Sequence, residues 1–253
     1  MDWFDELVRV MAQLRAPDGC PWDREQTHRS LRPYLLEEAY EALEAVDAED
    51  WDRLSDELGD VLLQVVFHAQ LASERDDFTI ADVCEKIVTK LKRRHPHVFA
   101  DSVAETPDEV VDRWEKIKRQ EEGYQERESA VDGIPEILPA LQRAYKLQKR
   151  ASRAGFDWPE ISGPRAKVDE ELREVDEATG DALEHEVGDL LFAVVNLARF
   201  LDVEPEGALR RANERFSRRF RSVEEQAGGS EQLSGMDLEE LDLLWERAKA
   251  EEA

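Results

Sequence analysis

Two stretches of this chain carry carboxylates in the same arrangement. The first reads LEEAYEAL (36–43) and then DELGDVLLQVVFHAQL (56–71). The second reads DEELREVD (169–176) and then HEVGDLLFAVVNLARFL (185–201). Each has two adjacent glutamates, a third three residues on, and a Glu-x-x-Asp that opens an apolar run. These are Glu37, Glu38, Glu41, Glu57 and Asp60 in the first copy, and Glu170, Glu171, Glu174, Glu186 and Asp189 in the second. Spacing i, i+3 puts two side chains on one helix face. A hairpin of two such helices gathers four carboxylates. At about 4 Å and an effective dielectric near 20, each like-charged pair costs about 4 kcal/mol. Such a cluster either holds protons at raised pKa or binds cations. All-oxygen ligation suits magnesium or manganese rather than zinc.

Charged residues are 37% of the chain, so an isolated Glu-Glu-x-x-Glu reads first as a solvated helix face. The Glu-x-x-Asp half reads differently. Asp60 is followed by Val61, Leu62, Leu63, Val65, Val66 and Phe67, and Asp189 by Leu190, Leu191, Phe192, Ala193, Val194 and Val195. A helix apolar nearly all round is expected to be buried, with its carboxylates facing the interior or a cleft. Glu41 and Glu57 are 57 − 41 = 16 positions apart, and Glu174 and Glu186 are 186 − 174 = 12. The difference of four is close to one helical turn, which a hairpin tip can lose without turning either carboxylate face away.

The elements that must position these residues are all helical. Apolar spacing predicts helices over 2–14, around Glu37–Glu41, over 51–74, after a cap at Thr79, and over 107–121. In the second half it predicts 135–153, 164–178, 181–201, 205–226 and 237–251. Thr27 or Ser30 is a possible cap for the helix carrying the first glutamates, with Pro33 in its first turn. No alternating strand pattern is evident, so the fold class is all-α. A polar stretch with glycine near both ends marks a linker at 123–134 between an N-terminal repeat (1–122) and a C-terminal repeat (135–253).

The net charge of −26 argues against a nucleic-acid backbone binder. Two cysteines, Cys20 and Cys84, give no disulfide framework. With no signal-like N-terminus and no apolar run near the transmembrane length, no membrane partner is expected and the expected location is cytoplasmic. His95-Pro96-His97 lacks metal-site partners, and His68 reads as a hydrogen-bonded core histidine. Glu25…His28 is the only Glu-x-x-His, so a di-iron bundle is not indicated. Basic helix ends follow each motif: Lys90, Arg93 and Arg94, then Arg215, Arg218, Arg219 and Arg221. They suit either the helix dipole or a polyphosphate tail.

GCPWDREQTHRSLRPYLLEEAYE, DELGD, HEVGD, KRRHPHVF and GFDW closely resemble the MazG family of nucleoside triphosphate pyrophosphohydrolases, in its two-repeat form and over nearly the whole chain. The resemblance implies a magnesium-dependent hydrolase that converts NTP or dNTP to NMP and pyrophosphate. It also implies a homodimer whose carboxylate hairpins pair into four-helix bundles. Manganese is a possible substitute for magnesium. By match to the family pattern the metal residues are Glu38, Glu41, Glu57 and Asp60, and Glu171, Glu174, Glu186 and Asp189. The same match gives Glu170 or Glu174 the role of activating water. Lys167, Arg215 and Arg219 are phosphate-binding candidates, and Trp245 is a candidate for base stacking, with core packing as its other reading. Lys167 lies four before Glu171, whereas the position four before Glu38 is Tyr34, so the second half is the better catalytic candidate. The alternative from another class is a non-enzymatic acidic helical adaptor with structural metal binding.

Overall fold

The computed structural model describes residues 2–100 and 128–251, with six positions between them: 106, 109, 110, 113, 114 and 117. The described residues are helices and turns without a strand. The chain divides into two compact units, Met1–Gln125 and Glu126–Ala253. No helix among the described residues is long and apolar enough to cross a membrane.

In the first unit the helices are α1 (Trp3–Arg15), α2 (Pro21–Glu25), α3 (Arg32–Asp47), α4 (Trp51–Ser73), α5 (Ile80–Arg94) and α6 (Pro96–Phe99). The α3–α4 hairpin is its frame, and α1 and α5 pack on α4. Met11, Leu31, Val66, Phe67 and Leu71 form the buried cluster, with Phe4, Leu7 and Ile80 against it. Asp50 starts α4 by accepting from the Arg53 backbone N–H at 3.1 Å. Thr79 and Asp82 cap α5 reciprocally, as the sequence suggests. Thr27 and Ser30 do not cap α3. Their hydroxyls bond each other's backbone N–H in a turn before it, and α3 starts after Leu31 with Pro33 in its first turn.

The second unit contains α7 (Ala140–Arg153), α8 (Ser162–Glu177), α9 (Asp181–Phe200), α10 (Pro205–Ala227), α11 (Ser230–Leu233) and α12 (Leu238–Glu251). The α8–α9 hairpin repeats the α3–α4 design, α7 packs on α9, and α12 lies on α10. Both hairpins have three-residue tips, 48–50 and 178–180. The four-residue difference in motif spacing is therefore taken out of the helical arms, not the tip.

The expected helix over 107–121 and the first part of the 123–134 linker fall largely outside the described residues. One expectation is corrected. Within the chain α4 and α9 are not buried all round, and each leaves an apolar stripe exposed: Leu58, Leu62 and Val65 on α4, and Val187, Leu191 and Val194 on α9. Counting from Glu57 and Glu186, these are the same three positions in both repeats.

Candidate active site

In the second unit, α8 carries Lys167, Glu170, Glu171 and Glu174 along one side, because steps of three and four return to the same face. From α9 come Glu186 and Asp189. Carboxylate oxygens of Glu171, Glu174 and Glu186 lie within 4.8 Å of one another. Asp189 stands less than a turn further along α9, with His185 Nε2 3.4 Å from its carboxylate. Lys167 Nζ is 2.6 Å from Glu171 Oε1 and 3.0 Å from Glu170 Oε1.

The electrostatics follow from this geometry. Glu171 is only 3% exposed. The ammonium of Lys167 holds it ionised, below the usual carboxylate range and against the cost of burial. The same contacts raise the pKa of Lys167, so its charge is fixed. Glu174 is pushed up, first by burial and then by Glu171 and Glu186. The second oxygen of Glu171, Oε2, is buried without a hydrogen-bond partner.

Beside this cluster opens a cavity of about 640 Å³. Lys167, Glu171 and Asp189 line one part of it, and Phe156, Trp158, Leu147, Phe192 and Ala193 form apolar walls. The GFDW turn is fastened to α9 by Arg199, whose guanidinium meets Asp157 in a fork at 2.6 and 3.0 Å and reaches Asn196 Oδ1 at 2.8 Å. Burial opposes the charge on Asp157, yet Arg199 and neighbouring donors hold its pKa below the ordinary range. Trp158 lies so close over the start of α8 that a Cβ at Gly163 would fall 2.2 Å from its ring. Gln148, on α7, donates to the Phe192 carbonyl at 2.8 Å and leaves its buried Oε1 without a partner.

The first unit repeats the cluster with Glu38, Glu41 and Glu57, again within 4.8 Å. Asp60 is exposed, although its charge adds to burial in raising the pKa of Glu38. Tyr34, the counterpart of Lys167, sets its ring edge-on to Trp22 at 5.9 Å. The cation here is Arg53, 3.0 Å from Glu57 and 3.1 Å from Glu44.

The structure thus gathers three carboxylates in each unit and keeps the aspartate along the same helix. Of the substrate-binding candidates, Lys167 alone lines the described cavity. Arg215 and Arg219 are on α10, and the Trp245 ring packs at 5.3 Å from Phe216. Sequence reasoning missed Arg53, the Asp157–Arg199 fork and Gln148. Only Arg53 had a local signal, its i, i+4 spacing to Glu57.

An all-carboxylate donor set, an orphaned buried oxygen and a raised proton affinity together fit a hard divalent cation. Fold and site define an all-α protein with paired acidic hairpins, one facing a ligand-sized cavity. Comparison with known proteins makes this specific. Residues 26–99 match the model of the MazG nucleotide pyrophosphohydrolase domain. The chain is 49% identical over 260 residues to a nucleoside triphosphate pyrophosphohydrolase of Escherichia coli (strain K12), covering 100% of this chain and 99% of that protein. It is 51% identical over 249 residues to the nucleoside triphosphate pyrophosphohydrolase/pyrophosphatase MazG of Thermotoga maritima, covering 97% and 95% of the two chains. A nucleoside triphosphate pyrophosphohydrolase of Mycolicibacterium smegmatis is 44% identical over 153 residues, covering 60% of this chain and 46% of its own. The chain belongs to the MazG family of nucleotide pyrophosphohydrolases.

Proposed function

We propose that this chain is a magnesium-dependent nucleoside triphosphate pyrophosphohydrolase, taking NTP or dNTP to NMP and pyrophosphate, with the α8–α9 hairpin as its main catalytic site. One juxtaposition carries the reading: the Glu171–Glu174–Glu186 group and Lys167 sit at the edge of a cavity of about 640 Å³ with aromatic walls. That volume is in the range of small-molecule sites.

In this reading Glu171, Glu174, Glu186 and Asp189 hold the divalent cation, magnesium by preference and manganese as substitute. When bound, the cation neutralises triphosphate charge and acidifies water. Lys167, kept protonated by its two glutamates, presents a fixed positive charge to the triphosphate tail and stabilises charge moving onto the leaving pyrophosphate. Phe156 and Trp158 enclose the nucleoside and exclude water. Water adds to the α-phosphorus as the bond from that phosphorus to its bridging oxygen breaks. Pyrophosphate leaves with the bridging oxygen, and the water's proton passes to a carboxylate. Glu170, held 3.0 Å from Lys167, and Glu174, within the carboxylate cluster, are the two candidates for that acceptor. Arg215 and Arg219 are assigned to the triphosphate from α10, and Trp245 to packing on Phe216.

The exposed stripes on α4 and α9 support a homodimer in which hairpins pair as four-helix bundles. A panel of NTPs and dNTPs, assayed with magnesium and with excess EDTA, tests the function. The expected products are NMP and pyrophosphate, formed only with the divalent ion. Orthophosphate and NDP, or turnover in EDTA, would refute it.

A further inference from the structure

The two clusters each hold an internal cation, but from opposite ends. Aligning Glu38 with Glu171 offsets the first helices by 171 − 38 = 133, so Tyr34 corresponds to Lys167 and Glu44 to Glu177. Aligning Glu57 with Glu186 offsets the second helices by 186 − 57 = 129, so Arg53 corresponds to Ala182. Lys167 precedes Glu171 by one turn on α8, on the side away from the hairpin tip, where the cavity opens. Arg53 precedes Glu57 by one turn on α4, between the cluster and the tip. Its second hold, Glu44, is also displaced from Glu41 toward the tip.

This placement separates what the two cations can do. Lys167 has a flexible stem and lines the cavity, so it can follow a triphosphate tail when an ion claims its glutamates. Arg53 is forked between two helices, 3.0 Å from Glu57 and 3.1 Å from Glu44. A guanidinium keeps its charge at any pH the protein meets. It remains at Glu57 on the tip side, and its charge opposes a divalent ion drawn to the same carboxylate.

We propose that Arg53 is the built-in counter-cation of the N-terminal cluster, and that it sets this cluster at a lower divalent-cation affinity than its carboxylates would otherwise have. The α3–α4 site then loads only at higher free divalent concentration, which makes it a conditional site. The inference rests on reading Glu38, Glu41 and Glu57 as a divalent-cation site, which the family match over 26–99 supports independently of Arg53.

The test is manganese binding, followed by the paramagnetic resonance signal of free Mn²⁺ at fixed ionic strength. Glu186→Gln with Asp189→Asn silences the second cluster and serves as the parent. Arg53→Ala recreates the alanine found at position 182, and Arg53→Gln keeps side-chain bulk. The Arg53–Glu44 contact is exposed and the Arg53–Glu57 contact part-buried, so circular dichroism checks that each variant keeps the fold before binding is compared. The dissociation constant of the first cluster is expected to fall roughly ten- to thirtyfold in both, the scale of one unit charge acting on a divalent ion a few ångströms away in a watery dielectric. Unchanged or weaker binding in both variants overturns the role of Arg53 and leaves the metal reading intact. Binding that ignores Glu38→Gln with Glu57→Gln overturns the metal reading of this cluster and the proposal with it.

Discussion

At the residue scale the strongest consequence concerns carboxylates that do not want to be charged together. Glu174 and Glu38 are both pushed up in the metal-free protein. For an acid whose folded pKa is raised, the folded state binds more protons than the unfolded one. Stability then falls as pH rises through the window above the ordinary glutamate value, near 4.3. Glu174→Gln should therefore leave the metal-free protein at least as stable as the parent near neutral pH, while removing most of the stabilisation that magnesium gives. Thermal melts with and without magnesium measure both, and a large loss of metal-free stability would contradict the repulsion argument. Glu186→Gln and Asp189→Asn are each expected to cost more than about a hundredfold in turnover with the fold intact. Initial rates near those of the parent would move the chemistry out of this cluster. His68 carries a different pH signature. Its ring and that of His28 are 4° from parallel with centroids 5.1 Å apart, yet their Nδ1 atoms are 2.8 Å apart. The rings therefore meet end to end through an Nδ1···Nδ1 hydrogen bond. Burial and then His28 lower the pKa of His68. The folded state thus binds fewer protons, and this contribution is complete above about pH 6.5 and is lost as pH falls below it. The parent should lose more stability between about pH 7.5 and 5.5 than His68→Gln does, the difference being the linkage from this one group. Equal slopes would show that His68 does not titrate as described.

At the element scale the two hairpins solve one problem with different tips. Glu49 has φ of 54° in the first tip, and Gly180 has φ of 62° with ψ of −135° in the second. The second conformation belongs to glycine almost alone. Gly180→Ala is expected to cost about 1–3 kcal/mol and to weaken metal binding by loosening Glu174 against Glu186. A melt unchanged from the parent would mean that the tip relaxes freely. Long helices were legible in the sequence because each presents several apolar turns, as in α1, α4, α9 and α10. The carboxylate faces were legible because i, i+3 spacing needs no tertiary information. Short helices were not. Residues 21–25, 96–99 and 230–233 are single turns with proline or glycine at their starts, stabilised by their surroundings and not by periodicity. The cavity was also hidden, since Gln148, Phe156, Asp157 and Arg199 come from three separate segments. The family resemblance singled out GFDW but said nothing about what its aspartate grips. Trp245 had two readings in the sequence, a base-stacking residue by family pattern or a packing residue, and its ring lies 5.3 Å from that of Phe216 in the α10–α12 contact.

At the scale of the whole molecule the acidic balance, net −26, draws divalent cations toward a protein whose working site needs them. The apolar stripes at matching positions of α4 and α9 are the other global feature. Placing a charge in both, as Leu62→Asp with Leu191→Asp, is expected to shift the protein from dimer to monomer in sedimentation without unfolding either unit. A dimer that survives would require another interface. The final comparison sets the halves against each other. Both keep a three-carboxylate cluster, but their cations differ in placement. Lys167 lines a cavity with aromatic walls, and in the proposed function the triphosphate tail enters there. In the first unit Tyr34 is turned to Trp22, and Arg53 sits on the far side of the cluster, toward the tip. Positive charge on the entry side stabilises the leaving pyrophosphate, and removing such a group costs on the order of a hundredfold or more in rate. Charge on the tip side cannot do this, whatever it does to ion binding. Glu38→Gln with Glu41→Gln should therefore leave most NTP hydrolysis, whereas Glu171→Gln with Glu174→Gln should remove nearly all of it. Lys167→Ala should approach the second result with the oligomeric state unchanged. Initial rates at saturating magnesium decide the matter. The reverse ranking would place catalysis in the α3–α4 hairpin, and equal losses would mean that the two clusters act as one site or depend on each other for folding.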